Sequence, residues 1–439
     1  MNLYSENQYY KLYQGSMLNM LENIKPNSIG SIVTDPPYEL NFMNKGWDNS
    51  GIAFRKETWD KCYKVLKSGG YLLAFGGSRT FHRIACAIED AGFEIRDTIM
   101  WMYGSGFPKS MNIGLAIDRK NGIESQIIGI GKSGDRSTHT RSLNFVKGTF
   151  GGEYEQKLAQ NEWSGWGTAL KPAYEPIIVA RKPCEGSCID NVLKYGVGGI
   201  DIDECRVPTD EKLTHGGSLV TMSGDERSGK ALGIFLAGTE NTYVQNPNGR
   251  FPANVILSYD DADSDEVCGG FPKIKNELSA SRYFYCAKAS KKDRDEGLDN
   301  LEDRALALSN QAQAELKRGN LLQGEKFNSV KVRKNIHPTV KPTELMQYLV
   351  RLVTPEGETV LDPFNGSGST GKAVMYENNE KNKNYKYIGI ELNEEYLQIA
   401  KARIDYVIGY DRIVENNTSE KVTDDSQIEG QMSIFDFLK

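Results

Sequence analysis

Thr359-Val360-Leu361-Asp362-Pro363-Phe364-Asn365-Gly366-Ser367-Gly368-Ser369-Thr370-Gly371 reads as a short apolar strand, a tight glycine loop and the start of a helix. Gly366 and Gly368 let the backbone come close to a ligand, as in dinucleotide-type strand-to-helix turns. The loop is not a phosphate loop: Lys372 follows Gly371 and precedes Ala373, so the Lys-Ser/Thr ending is missing. A second strand, Tyr387-Ile388-Gly389-Ile390, ends at Glu391, where folds of this kind hold ribose hydroxyls. The interval from Asp362 to Glu391 exceeds the usual ~20 residues. The polar run 377–384 is expected to be a surface loop that accounts for the excess.

Near the other end of the chain, Ile32-Val33-Thr34 predicts a buried strand that runs into Asp35-Pro36-Pro37-Tyr38. Two successive prolines give a stiff, extended turn whose carbonyls point outward. Between the two motifs, strand and helix patterns alternate over residues 9–120. A helical rhythm spans Glu57 to Leu66, a strand Tyr71 to Phe75, an amphipathic helix Phe81 to Gly92 and a strand Glu94 to Trp101. Such alternation implies a parallel sheet with helices on both faces. Pro176-Ile177-Ile178-Val179-Ala180-Arg181 adds an apolar strand after Thr168-Ala169-Leu170-Lys171-Pro172-Ala173-Tyr174-Glu175. Upstream of the glycine loop, His337-Pro338-Thr339-Val340-Lys341-Pro342 precedes an amphipathic helix.

The paired motifs, with the Asp-Pro-Pro-Tyr loop first and the glycine loop last, resemble the amino-group DNA methyltransferases of the permuted β subgroup, phage-type site-specific members included. The resemblance covers residues 9–120, 160–182 and 335–405. It implies an α/β fold: a Rossmann-like S-adenosylmethionine-dependent methyltransferase sheet, circularly permuted, with an inserted target-recognition region. The expected organisation is a catalytic half over 1–182 and a recognition insert with connector over 183–335. A cofactor-binding half over 336–412 and a flexible tail over 413–439 follow. Leu301 to Lys317 reads as a helix within the connector, and Pro176–Arg181 as the antiparallel edge strand of the family.

By the same resemblance Asp35, Pro36, Pro37 and Tyr38 are catalytic. An exocyclic amine is a poor nucleophile because its lone pair is delocalised into the ring. A carboxylate from Asp35 and the Pro36 carbonyl accepting its N–H bonds would localise that pair, and Tyr38 would stack on a base taken out of the helix. S-adenosylmethionine is expected at Asp362, Phe364, Asn365, Gly366, Ser367 and Gly368, with Glu391 on its ribose and Thr339 and Lys341 near its amino-acid end. Ser16 stands where the family usually carries an aspartate. Phe42 and Trp47 in the glycine- and asparagine-containing loop after Tyr38, and Trp101, are candidate contacts to the extruded base. Arg250 and Arg282, each beside an aromatic, are candidate DNA contacts.

The Asp form at residue 35 leans to adenine-N6. Cytosine-N4 is the alternative, and a catalytically idle DNA-binding or clamp-tethered module is the reading from another class. Gln431-Met432-Ser433-Ile434-Phe435 resembles the bacterial sliding-clamp-binding peptide, with Gln431, Met432, Ile434 and Phe435 as anchors.

Expected partners are double-stranded DNA, the clamp and a cognate restriction endonuclease. A net charge of −6 excludes a wholesale polybasic binder but not a local basic surface. No apolar run approaches the ~18 residues of a membrane span, and no signal-peptide pattern opens the chain. A cytoplasmic, nucleoid-associated enzyme is therefore expected. Seven cysteines read as free thiols. Cys184, Cys188, Cys205 and His215 match no familiar zinc spacing, so no metal is expected.

Overall fold

The computed structural model describes residues 2–40, 46–103, 110–132, 153–209, 246–258, 273–274, 277–278, 284–286, 288–307 and 330–420. In chain order, β1 (Leu3–Glu6) and β2 (Tyr10–Gln14) form a hairpin that leads into the short helix α1 (Met17–Met20). Then come β3 (Ile29–Thr34), α2 (Lys56–Val65), β4 (Leu66–Phe75), α3 (Phe81–Asp90) and β5 (Glu94–Tyr103). A small lobe holds α4 (Ile113–Lys120) and the β6 (Gln126–Lys132) and β7 (Glu153–Leu158) hairpin. β8 (Tyr174–Arg181), α5 (Cys188–Tyr195) and β9 (Val255–Ser258) follow. A two-stranded ladder of β10 (Lys273–Ile274) and β11 (Glu277–Leu278) precedes β12 (Phe284–Tyr285) and α6 (Lys291–Asp295). β13 (Arg304–Ala307) pairs with β14 (Val330–Arg333). The chain closes with α7 (Thr343–Val353), β15 (Thr359–Asp362), α8 (Ser369–Lys381), β16 (Lys386–Glu391) and α9 (Glu394–Glu420).

Among the described residues one ten-stranded sheet runs in the order β1-β2-β16-β15-β3-β4-β8-β5-β9-β12. β2, β16, β15, β3 and β4 are mutually parallel, β8 is antiparallel to both β4 and β5, and β9 and β12 continue parallel to β5. Because β8 reverses between two strands of one direction, β3, β4, β5 and β15 all end at the same edge. Their apolar residues are covered on both sides, as a parallel sheet requires: Val33, Leu73 and Phe75 face one core with α7, and Ile32, Leu72 and Ala74 face another with α2 and α3. The expected alternation of strand and helix is thus present, and the Pro176–Arg181 strand is antiparallel as anticipated, though interior rather than at the rim.

Three expectations need correction. The chain from Leu301 is not helical at its start: Arg304–Ala307 is a strand registered on Val330–Arg333, while 308–317 lie outside the described residues. The polar run 377–384 is a loop only over 382–384; α8 continues through Lys381, and Glu377 is fully buried in a bidentate pair with Arg351. The sheet also does not stop at residue 182. β9 and β12, from the region read as a recognition insert, add two strands beyond β5, and α5 packs on β4 through Asn191, whose amide donates to the carbonyls of Ser68 and Val197.

Candidate active site

β3 and β15 lie side by side, with Val360 registered on Ser31 and Leu361 on Ile32. Both loops of interest therefore leave the same edge next to each other, although 328 residues separate Thr34 from Asp362. Asp362 joins them directly. Its Oδ1 accepts from the Thr34 hydroxyl at 2.7 Å and the Phe364 amide at 3.1 Å, and its Oδ2 from the Thr370 hydroxyl at 2.7 Å. Burial pushes this carboxyl up to about 6 in spite of the three bonds. Asp362 is thus a brace between the motifs.

The glycine loop is shaped by backbone. Gly366 has φ +50° and Gly368 φ +74°, a region L side chains rarely enter. A Cβ on Gly366 would lie 2.9 Å from His337 Nε2, and one on Gly368 2.9 Å from the Ala400 Cα. Asn365 is buried and structural: its Oδ1 accepts from the Tyr387 hydroxyl at 2.7 Å, which holds the loop on β16. Ser367 is buried as well, with its carbonyl accepting from Arg403 at 2.8 Å. Arg403 is fully buried, and burial lowers it to about 10 despite nearby carboxylates. Glu391 accepts one backbone N–H on each oxygen, from Gly366 at 2.8 Å and Asn393 at 2.9 Å. A carboxylate offers about four lone-pair sites, so acceptor capacity remains for two hydroxyls. These groups fit the ribose and amino-acid portions of S-adenosylmethionine: an acidic acceptor at a strand end, a loop with two glycines and the half-buried Phe364. Ser16 joins this group, since the preceding Gly15 donates its amide to the Glu391 carbonyl at 2.9 Å. Thr339 is exposed.

The other half of the site is a buried charge cluster. Lys341 Nζ lies 2.6 Å from Asp35 Oδ2 and 3.4 Å from Glu175 Oε2, and the Tyr38 hydroxyl donates to the same Glu175 oxygen at 2.8 Å. Burial opposes charge on Lys341, but the two carboxylates outweigh it and hold the amine above the usual lysine range. Burial likewise raises Asp35, with Lys341 pulling it back. Asp35 Oδ1 is buried and has no hydrogen-bond partner among the described residues. Lys341 therefore engages the Asp35 carboxylate directly, a contact that the sequence did not suggest. Tyr38 is fixed at both ends, its carbonyl accepting from the Thr80 hydroxyl at 2.8 Å. The turn after it is pinned by Asp48, which accepts from the amides of Glu39 and Leu40 at 2.9 and 3.2 Å.

The remaining candidates separate. Trp101 is 3% exposed, 5.7 Å from the Tyr103 ring in an edge-on contact, so it is core and not an open stacking face. Arg250 sits in an antiparallel bridge with Val207. Phe42, Arg282 and the peptide from Gln431 to Phe435 lie outside the described residues, as does the side chain of Trp47. Of the cysteines, Cys184 and Cys188 have sulfurs 3.6 Å apart, Cys205 is buried, and His215 lies outside the described residues. Sequence reasoning gave no role to Glu175, whose signal was an acidic residue opening an otherwise apolar strand. It also missed Arg403 and Lys372, a 1% exposed lysine paired with Asp293 of α6 at 2.8 Å.

A mostly parallel sheet with β1 and β8 reversed, a glycine loop beneath an acidic acceptor and an Asp-Pro-Pro-Tyr pocket beside it define an α/β Rossmann-like methyltransferase. The chain belongs to the N6/N4 DNA methylase family, whose model matches residues 29–402. S-adenosylmethionine is the cofactor. The Type II methyltransferase M2.LlaDCHI of Lactococcus lactis subsp. cremoris is 41% identical over 226 residues, 45% of this chain and 81% of that one. The Type II methyltransferase M.HindIII of Haemophilus influenzae is 22% identical over 231 residues, and this chain spans 63% of its length with 43% of its own. Among solved structures, PvuII DNA methyltransferase (cytosine-N4-specific) is 14% identical with a TM-score of 0.39, covering 94% of this chain and 97% of that one. Among the described residues no helix is long and apolar enough to cross a membrane.

Proposed function

We propose that this chain is a site-specific DNA methyltransferase that transfers a methyl group to the N6 amine of adenine. The observation that carries the reading is the unpartnered Asp35 Oδ1, buried at the mouth of the same sheet edge as the glycine loop. When bound, S-adenosylmethionine supplies a methyl group already activated on a sulfonium. The chain supplies the rest. Asp35 Oδ1 accepts one N–H of the amine and the Pro36 carbonyl the other, which localises the lone pair on nitrogen. Lys341 keeps Oδ2 occupied and so fixes the plane of the carboxylate. Two carboxylates around one ammonium leave this pocket negative overall, which favours the positive charge that develops on the amine. The C–S bond breaks as the N–C bond forms, the thioether S-adenosylhomocysteine leaves, and the methylated nitrogen releases one proton to solvent.

The Asp at position 35 supports adenine over cytosine, and cytosine-N4 transfer is the second reading. The test is to incubate the protein with labelled S-adenosylmethionine and unmethylated phage DNA, then digest to nucleosides and identify the labelled base by mass spectrometry. Label is expected in N6-methyladenine. Asp35→Ala should cut transfer by about a hundredfold or more while cofactor binding persists. Label in N4-methylcytosine would move the base assignment and keep the mechanism. Bound cofactor without labelled DNA would point to RNA or protein, and absent cofactor binding would restore the idle-module reading.

A further inference from the structure

The lobe between β5 and β8 is rooted at the edge that carries Asp35 and the glycine loop, because β5 ends there and β8 begins there. Its neck is tied closed: the Tyr103 amide donates to the Ala173 carbonyl at 2.8 Å, Met111 to the Thr168 hydroxyl at 2.9 Å and Ile113 to the Trp166 carbonyl at 3.0 Å. Two residues past that neck stands Glu175 of the charge cluster. Among the described residues the interior of the lobe is held by a hydrogen-bond network. Asp118 is fully buried and accepts from the Gln160 amide at 2.9 Å and the Asn161 side chain at 2.6 Å. Asn161 in turn accepts from the Trp163 amide at 3.0 Å, and a Cβ on Gly114 would lie 2.8 Å from the Trp163 carbonyl.

This framework presents aromatic surface to solvent. Trp163 and Trp166 are 40% and 57% exposed, with ring centroids 5.2 Å apart in an edge-on pair. Met111 and Leu170, at the neck, are 57% and 92% exposed. Among the described residues the lobe's own buried apolar positions are Leu115 and Ala159, and these four side chains are not among them. Two tryptophans exposed side by side on a hydrogen-bonded framework mark a contact for something else.

We propose that Trp163 and Trp166 contact the DNA that flanks the extruded base. The inference rests on the DNA methyl-transfer reading and adds to it a surface on a part of the chain that the recognition insert does not include. A duplex delivering a base to Asp35 must approach this edge, and extrusion leaves unstacked neighbours whose faces aromatic rings can cover. Lys171, exposed beside Leu170, and Arg119 and Lys120 at the end of α4 offer charge for adjacent phosphates.

The test measures retention of labelled, unmethylated phage DNA fragments by the full chain and by Trp163→Ala, Trp166→Ala and Trp166→Phe variants over a salt series. Cofactor affinity and melting temperature are measured on the same samples. The alanine variants should bind DNA about 10–100-fold more weakly, with the salt slope unchanged because no phosphate contact is lost. Trp166→Phe should recover most of the affinity, and cofactor binding should not move. Alanine variants that fold, bind cofactor and retain DNA like the parent would overturn the inference. So would loss of a dimer with DNA affinity unchanged, which would assign the face to a second copy of this chain. A parent protein that retains no DNA would overturn the methyl-transfer reading and this one with it.

Discussion

Lys341 lies between Asp35 and Glu175, and its contribution should be visible as a pH dependence. Asp35 must be ionised to accept the amine, so single-turnover transfer falls as pH drops through its titration. Burial raises that titration and the Lys341 ammonium lowers it. Lys341→Met removes the lowering influence, so the acid limb should move to higher pH, while the rate well above it recovers in part. A profile with the same limb as the parent would show that the ammonium does not act on Asp35. At this scale the sequence placed Asp35, Lys341, Asp362 and Glu391 in one candidate site, and the fold brings the loops that carry them to one sheet edge. The Lys341–Asp35 pair was not legible, because a pairing across 306 residues leaves no mark on local spacing. Glu175 stood in the quoted stretch Thr168–Pro176 without a role; only the fold brings this carboxylate to Lys341 and Tyr38.

At the scale of elements, long apolar runs bounded by glycine and proline were legible and short ones were not. β3, β4, β15 and β16 are buried on both faces, which writes continuous Ile, Val and Leu into the chain. The alanine- and leucine-rich start at Arg304 favours a helix by propensity, yet pairing with β14 makes it a strand. β9 and β12 have four and two residues, too few to show a period. The glycine loop is a unit whose two glycines should fail differently. On Gly368 a methyl group meets the backbone of α9 at 2.9 Å with φ +74°, so Gly368→Ala should destabilise the protein by about 1–3 kcal/mol in urea unfolding. On Gly366 it meets only the His337 ring, so Gly366→Ala should weaken cofactor binding by about tenfold in calorimetry and change stability less. Equal stability losses would show that the two positions are not distinct.

Over the whole molecule, the N-terminal and C-terminal thirds of the chain interleave in one sheet: β16 and β15 lie between β2 and β3. The order of the two motifs in the sequence announced a permuted arrangement but not how far the middle third would join it. Segment 210–245 departs from and returns to an antiparallel bridge between Val207 and Arg250. A chain divided there into two co-expressed pieces should therefore reassemble, and the pair should co-purify and bind cofactor. Pieces that fold separately, or never meet, would contradict the interleaving.

The same arrangement has a consequence during synthesis. β3 emerges from the ribosome early, but the strand that covers its flank, β15, and the one beyond it, β16, arrive more than three hundred residues later. At about 5–20 residues per second that delay is roughly 20–70 s. Through that interval the nascent chain carries an unmatched strand edge of Ile29–Thr34, an exposed edge of the kind that invites pairing with another chain until the last strands are made.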